Sequence, residues 1–306
     1  MRINVFEIII FGLVNGSIYA LISMGLSMQY GVAKILNVAH GEFIMLGSFL
    51  TWGLVRLLVP ALAENQNMPV YWAPIFALLI SLPITLLIGF ILHRTAYKRL
   101  KTISPNDGAF EGSAMLLSFG IMFVVQAVAQ WIWGTTPHNI TFNAVPLKIS
   151  ITDGISTEVQ RNRLIVFTFA VAISAIFYLF LAKSRTGKSI RAAAQDPVAA
   201  SLMGIKINTV LALCFGLGTL LAGAAGALLS MYKDSYTSMG MGYTVTAIIV
   251  VVLGGLGSIP GSVIGGFFLG LVGYAVSTIN SSLEIIVFYL FIMALLLVRP
   301  KGLFGR

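Results

Sequence analysis

Three short stretches of the chain carry residue types that do chemistry elsewhere. The first is AKSRTGKS at 182–189, which fits a relaxed phosphate-loop pattern. A working phosphate loop needs a strand, a glycine-rich turn and a helix whose backbone N–H groups cradle phosphates. Here the pattern starts on alanine and leaves a long apolar run. It therefore reads as a basic loop carrying Lys183, Arg185 and Lys188 rather than as an ATP site. The second is His40-Gly41-Glu42, a close histidine–carboxylate pair in an apolar setting. No HExxH accompanies it for a zinc hydrolase, and no GxSxG occurs for a serine hydrolase. The third is VLGGLGSIPG at 252–261, a glycine- and proline-rich break between apolar runs. Cys214 is the single cysteine, which excludes an internal disulfide and a cysteine metal cluster. With no catalytic constellation and no metal set, an enzyme is unsupported and the chain is expected to bind no cofactor of its own.

The elements that would position these residues follow from how little of the chain tolerates water. Hydrophobic residues make up 58% of the 306 and charged residues 9%, with a mean hydropathy of +0.95. A helix needs about 20 apolar residues to cross a hydrocarbon core of about 30 Å, and every backbone polar group in that core must pair internally. The recurrent apolar runs predict an all-α, polytopic transmembrane helix bundle, a single transmembrane domain over 1–306. Helices are expected at 5–30, 41–59, 72–92, 113–133, 164–182, 209–231 and 283–298. Between them, 243–253 and 262–276 form a broken or re-entrant pair meeting at the 254–261 break. That makes about eight spans, within a range of about seven to nine. The first run follows a lone Arg2, is long for a signal peptide and lacks a small-residue cleavage site, so it reads as a retained helix.

The chain has 19 Lys+Arg against 10 Asp+Glu. Most of the cations sit beside apolar runs, the membrane-topology pattern rather than a nucleic-acid surface. Arg94–Lys101, Lys183–Lys206 and the tail from Arg299 hold most of them and are assigned to the cytoplasm. Parity then places the C-terminus inside and the N-terminus outside, although Arg2 argues against the latter. The connection at about 134–163 becomes the longest external loop. There, 140–142 and 147–151 alternate apolar and polar residues around Asn143 and Pro146, a short-hairpin signal. It serves either as a docking surface for an external partner or as a cap over the helix ends.

Small residues let membrane helices approach closely. Gly12 with Gly16 and Gly266 with Gly270 form GxxxG pairs, and Gly223 and Gly226 lie in the nearly side-chain-free stretch AGAAGA at 222–227. These are expected to be packing positions. Gln126 and Gln130 share one helix face and are expected to hydrogen-bond between helices. Asn37, His40 and Glu42 stand at a helix start. They form either a pathway-lining or structural polar network, because ionisable groups at membrane depth are costly, or a plain helix-start cap. Gly254, Gly255, Gly257, Ser258, Pro260 and Gly261 either line the path or act as its hinge, or make a tight turn at the membrane edge. Helix starts near Gly41 and Gly261 share a glycine-rich character that suggests an internal repeat.

The stretch after Arg191 predicts a further helix of about two turns inside the basic connection 183–207. Asp196 suits its N-cap, Pro197 its first turn and Gly204 the position past its end. So short a helix is unstable alone in water and needs a surface to pack on. Its small, apolar residues, Ala200 among them, suit the groove of a cytoplasmic partner.

Four segments together carry a family resemblance: NGSIYAL at 15–21, ILNVAHGEF at 35–43, RAAAQDP at 191–197 and VLGGLGSIPG at 252–261. In this order and spacing, the chain resembles the permease subunits of bacterial branched-chain amino acid ABC importers, from about Asn15 to its C-terminus. Its length and short loops resemble the shorter of the family's two kinds of permease. The resemblance implies a multi-pass protein of the bacterial inner membrane, working with a second, often non-identical permease. It also implies two cytoplasmic ATPases that hold the ATP and magnesium, and an external solute-binding protein. The helix around Arg191, Asp196, Pro197, Ala200 and Gly204 would be the coupling element to the ATPase. Branched-chain or related amino acids are the leading solutes; urea, amides and aromatic acids are alternatives within the family. A stand-alone channel or ion-coupled carrier is the competing class. The near absence of intramembrane carboxylates speaks against an acidic proton relay.

Overall fold

A computed structural model describes residues 5–63, 72–140, 147–152, 155–299 and 302–304. The helices are α1 (Val5–Ala33), α2 (His40–Ala63), α3 (Ala73–Leu92), α4 (Lys98–Ile103), α5 (Asp107–Trp133), α6 (Arg161–Lys183), α7 (Arg185–Gln195), α8 (Pro197–Leu202), α9 (Ile207–Leu229), α10 (Met239–Gly254), α11 (Ile259–Ser277) and α12 (Leu283–Val298). A π-helical turn over His93–Tyr97 joins α3 to α4. Among the described residues, 7 helices are long and apolar enough to cross a membrane, and α10 and α12 are shorter apolar helices. The architecture is the expected helix bundle. The broken pair is α10 and α11, joined by a turn at 255–258.

The interhelical seams follow the glycines. On α1, a Cβ added to Gly16 would come 2.8 Å from Phe267 Cα on α11; one on Gly270 would come 2.2 Å from Gly16 Cα. The two GxxxG pairs therefore interlock, and α11 runs antiparallel to α1. Likewise a Cβ on Gly226 would come 1.8 Å from the Ile44 carbonyl oxygen, and one on Gly223 would come 2.5 Å from the Thr85 side chain. Helix α9 is thus wedged between α2 and α3, with most of its residues buried. Gln126 is half-buried and Gln130 exposed, and neither side chain bonds another helix among the described hydrogen bonds.

The bundle has two unlike ends. One carries α4, α7, α8 and most of the cations; it is called the basic end below. The other carries a two-stranded ribbon, β1 (Leu147–Thr152) paired antiparallel with β2 (Ile155–Val159). The alternation in sequence pairs 140–142 with 147–151, but the observed partner of 147–152 is the following strand. Asp153-Gly154, a dipeptide favoured in two-residue hairpin turns, separates the two strands in sequence. The 141–142 part of the expected strand lies outside the described residues. The start of α1 lies at this hairpin end, where the Arg163 guanidinium sits 4.3 Å from the Phe11 ring centroid. The C-terminal segment lies at the basic end, where the Leu303 N–H donates to the Leu253 carbonyl at 2.9 Å.

Candidate functional site

The 34–40 connection departs from a simple picture of rods joined at the surface. Helix α1 ends at Ala33, and Lys34 takes a left-handed conformation with φ 53°, which reverses the chain. The chain then runs back into the bundle. His40, the first residue of α2, places its Nε2 3.0 Å from the Ile22 carbonyl oxygen. Ile22 lies about 16 Å along α1 from Ala33 at 1.5 Å per residue. Five or six extended residues cover about that distance. Helix α2 therefore begins near the middle of the bundle.

Irregular backbone at such depth survives only if protein groups satisfy it. Side chains from three other elements, with Asn37 of the segment itself, do so. Ser118 of α5 accepts from the Val38 N–H at 3.0 Å. Thr244 of α10 donates to the Val38 carbonyl at 3.0 Å and accepts from the Gly41 N–H at 2.8 Å. Asn37 accepts from the Ala39 N–H through Oδ1 at 3.1 Å and donates through Nδ2 to Gln29 of α1 at 3.2 Å. Gln29 in turn donates to the Phe215 carbonyl of α9 at 3.1 Å. Asn37, Gln29, Ser118 and Thr244 are all buried. Asn37 and His40 were legible as candidates. Gln29, Ser118 and Thr244 were not, because nothing local ties a lone polar residue in one apolar run to a break in another.

A second helix start meets this one. Helix α10 begins at Met239 after the 230–238 connection, and a Cβ on Gly41 would fall 1.8 Å from the Gly240 carbonyl oxygen. The Gly41 region thus packs on the start of α10. His40 and Glu42 face opposite sides of α2. His40 packs toward α1, where its Cε1 lies 3.1 Å from a Cβ built on Gly25. Glu42 lies on Gly240, whose added Cβ would come 2.4 Å from its Oε1. Glu42 is 2% exposed, and its Oε2 has no hydrogen-bond partner. Burying an isolated carboxylate costs several kcal/mol. The positive ends of two helices offset about 0.3–2 kcal/mol each. Ser48 of α2 and Ser235 hydrogen-bond just beyond, and His138 and Ser235 exchange backbone bonds of 2.8 and 2.7 Å, closing the hairpin end over this level.

The 254–261 break lies elsewhere. Its glycines sit at the basic end. Gly254 and Gly261 pack back to back, with a Cβ on Gly261 falling 2.0 Å from the Gly254 carbonyl oxygen. Gly257 abuts Gly31 near the end of α1, and Gly255 abuts Gly302 of the C-terminal segment. Gly255 and Gly257 have φ of 93° and 83°, which an L side chain rarely adopts. Ser258 caps α11 by accepting from the Gly261 N–H at 3.2 Å, with Pro260 in the first turn. The break is therefore a tight turn at the bundle's edge, well removed from His40 and Glu42.

Beyond the basic end stands α8. Asp196 accepts from the Val198 and Ala199 N–H groups at 2.8 and 3.0 Å, and Pro197 fills the first helical position. At the far end, Gly204 takes φ 82°; its N–H donates to Ser201 and the Ile205 N–H to Ala200. That is the paired-bond, left-handed helix stop of the Schellman type. Both ends of a six-residue helix are thus closed by local chemistry. Arg191 of α7 donates to the Leu181 carbonyl at the end of α6, fixing the platform behind it. Ala200 is buried beneath α8, whereas Val198, Leu202 and Met203 are 69%, 84% and 83% exposed. The outward apolar surface is formed by these three residues, which composition alone did not single out.

A family model described as branched-chain amino acid transport system / permease component matches residues 8–299. The chain is 32% identical over 301 residues to the high-affinity branched-chain amino acid transport system permease protein BraD of Pseudomonas aeruginosa, covering 96% of this chain and 94% of BraD. It is 29% identical over 301 residues to the corresponding protein LivH of Escherichia coli K12, again covering 96% and 94%. To the probable branched-chain amino acid transport permease protein LivH of Methanocaldococcus jannaschii it is 24% identical over 310 residues, covering 96% and 90%.

Proposed function

This chain belongs to the branched-chain amino acid transport permease family, and on that premise we propose that it forms half of the conduit of an ATP-driven importer of branched-chain or related amino acids. Its partners are a second permease, two cytoplasmic ATPases that carry out hydrolysis, and an external solute-binding protein that delivers the solute. It resides in the bacterial inner membrane with the basic end in the cytoplasm, following the cation distribution. The C-terminus is then inside and the start of α1 outside. ATP binding moves the ATPases against α8. Helices α7 and α9, continuous with α8 in sequence, carry that motion into the bundle. Exchange between outward- and inward-open states requires that nucleotide and loaded binding protein each favour a different state.

The observation that carries this reading is α8 itself. A helix too short to stand alone is capped at both ends and presents Val198, Leu202 and Met203 to the basic side. Three large apolar side chains on a membrane protein's aqueous loop need a partner's groove. The test is a cysteine at Leu202 in a Cys214→Ala background, which is otherwise free of thiols. It is expected to cross-link to the ATPase subunit and to resist membrane-impermeant thiol reagents applied outside intact cells. Labelling of that cysteine from outside would overturn the orientation and the coupling role together.

A further inference from the structure

Helix α3, the π-turn and α4 form one continuous rod from Ala73 to Ile103. The rod packs against α9 and α2, and its far side is left open. The buried row reads Ser81, Thr85, Gly89, His93 and Tyr97; the exposed row reads Pro83, Leu87, Ile91, Thr95, Arg99 and Ile103. Both rows advance by four residues. Four residues of α-helix overshoot a turn by about 40°, so a plain helix would carry each row around the axis. The wider π-turn over His93–Tyr97 takes part of that drift back. It keeps Tyr97 buried and brings Arg99 into line above Leu87 and Ile91. Lys101 is turned aside, with its Nζ 5.4 Å from the Phe110 ring centroid on α5.

The open face changes character at one level. Leu87 and Ile91 are 55% and 50% exposed, and just beyond them Arg94, Lys98 and Arg99 are exposed together. The Arg94 guanidinium is braced from below, 5.7 Å from the Phe90 ring centroid. From Ala73 to Asn106 the sequence contains no carboxylate to neutralise these cations. Trp72, at the other end of the rod, is 41% exposed, as an interfacial aromatic should be. Trp72 to Arg94 is about 33 Å of helix, close to the hydrocarbon thickness of about 30 Å. Arg94 therefore stands at the level of the lipid headgroups. The seams inside this bundle are built on glycine, whereas this exposed row has none. Acyl chains suit such a face better than another helix.

We infer that Arg94 and Arg99, with Lys98 beside them, hold the phosphate of an anionic phospholipid whose acyl chains lie along Leu87 and Ile91. The site goes beyond the transport reading and requires only that the chain span a membrane. Guanidinium groups take phosphate oxygens through paired N–H donors, and basic clusters just outside a span attract anionic headgroups. The π-turn makes the site specific, because it selects Arg99 rather than Lys101 as the second guanidinium-level cation.

The test titrates the full-length chain, purified in neutral detergent, with palmitoyl-oleoyl phosphatidylglycerol or phosphatidylcholine and counts bound lipid by native mass spectrometry. The anionic lipid is expected to bind about tenfold more tightly or better. Arg94→Gln and Arg99→Gln should each weaken it by about tenfold, and Arg99→Lys by less. Lys101→Gln removes the same charge two residues on and should change the affinity less than about twofold. Equal affinity of the wild-type chain for the two lipids overturns the site, and that readout needs no variant. Equal losses from Arg99→Gln and Lys101→Gln also overturn it, since they mark diffuse surface charge. Displacement of the bound lipid by an equal concentration of inorganic phosphate would make this a free-anion site and overturn the lipid assignment.

Discussion

Thr244 gives the sharpest check on the mid-depth break. Its hydroxyl holds two backbone groups of the 34–41 segment, the Val38 carbonyl at 3.0 Å and the Gly41 N–H at 2.8 Å, and the residue is 1% exposed. Thr244→Val keeps the shape and deletes both bonds. Interhelical hydrogen bonds in membrane bundles average about 0.6 kcal/mol and reach about 1.7, so the loss should be about 1–3 kcal/mol. Thr244→Ser keeps both bonds and deletes one methyl, a loss of about 0.8 kcal/mol before any cavity effect. The measurement is thermal unfolding of the purified permease pair in detergent, with nucleotide-free ATPases present. The expected order of stability is wild type, then serine, then valine. Ser118→Ala, which orphans the Val38 N–H, should couple to Thr244→Val in a double-mutant cycle, because both act on one segment. A valine variant as stable as wild type, beside a weakened serine variant, would show that Thr244 contributes only its methyl. The polar account of the break would then be wrong.

Further outcomes follow from the seams and from α8. Gly226→Ala and Gly270→Ala drive a methyl into opposing backbone and should each lower stability by about 1–3 kcal/mol or more, the range of overpacking. By contrast, Gly120→Ala has open space around it on α5 and should stabilise by about 0.5–1 kcal/mol, measured in the same unfolding assay. Asp196→Ala removes a cap bonding two N–H groups and should cost α8 about 1 kcal/mol. Gly204→Ala forces a side chain into φ 82° at a cost of about 1 kcal/mol. Both should reduce ATPase stimulation by loaded binding protein without affecting assembly, read by ATP hydrolysis and by size-exclusion chromatography.

Helix positions were largely readable because apolar runs, N-caps and glycine stops are local signals. The Asp196–Gly204 element shows this well: cap, proline and stop each sit where the sequence pattern puts them. The glycine pairs also announced seams, though not which helices they join. What stayed hidden was non-local. The 34–40 return is held by Ser118 and Thr244, on helices far from it in sequence, and by Gln29 at the end of α1, which is itself anchored on the Phe215 carbonyl. Its presence deep in the bundle left no periodic trace, since the residues themselves remain apolar on both sides. The 252–261 break drew attention through its composition, yet its glycines serve backbone approach and left-handed φ at the bundle's edge. Ala200 carried a similar ambiguity. Small residues on a six-residue helix fit either face, and only burial distinguishes it from Leu202.

The central claim is a conduit driven from outside itself through α8. Leucine uptake into proteoliposomes measures it most directly, comparing this chain alone, the full complex, and the full complex with Leu202→Asp and Met203→Asp. The account predicts no flux from the chain alone, uptake by the full complex only with ATP and loaded binding protein, and loss of that uptake in the double variant. Leucine flux through the chain alone without nucleotide, or undiminished ATP-driven uptake by the double variant, would contradict it.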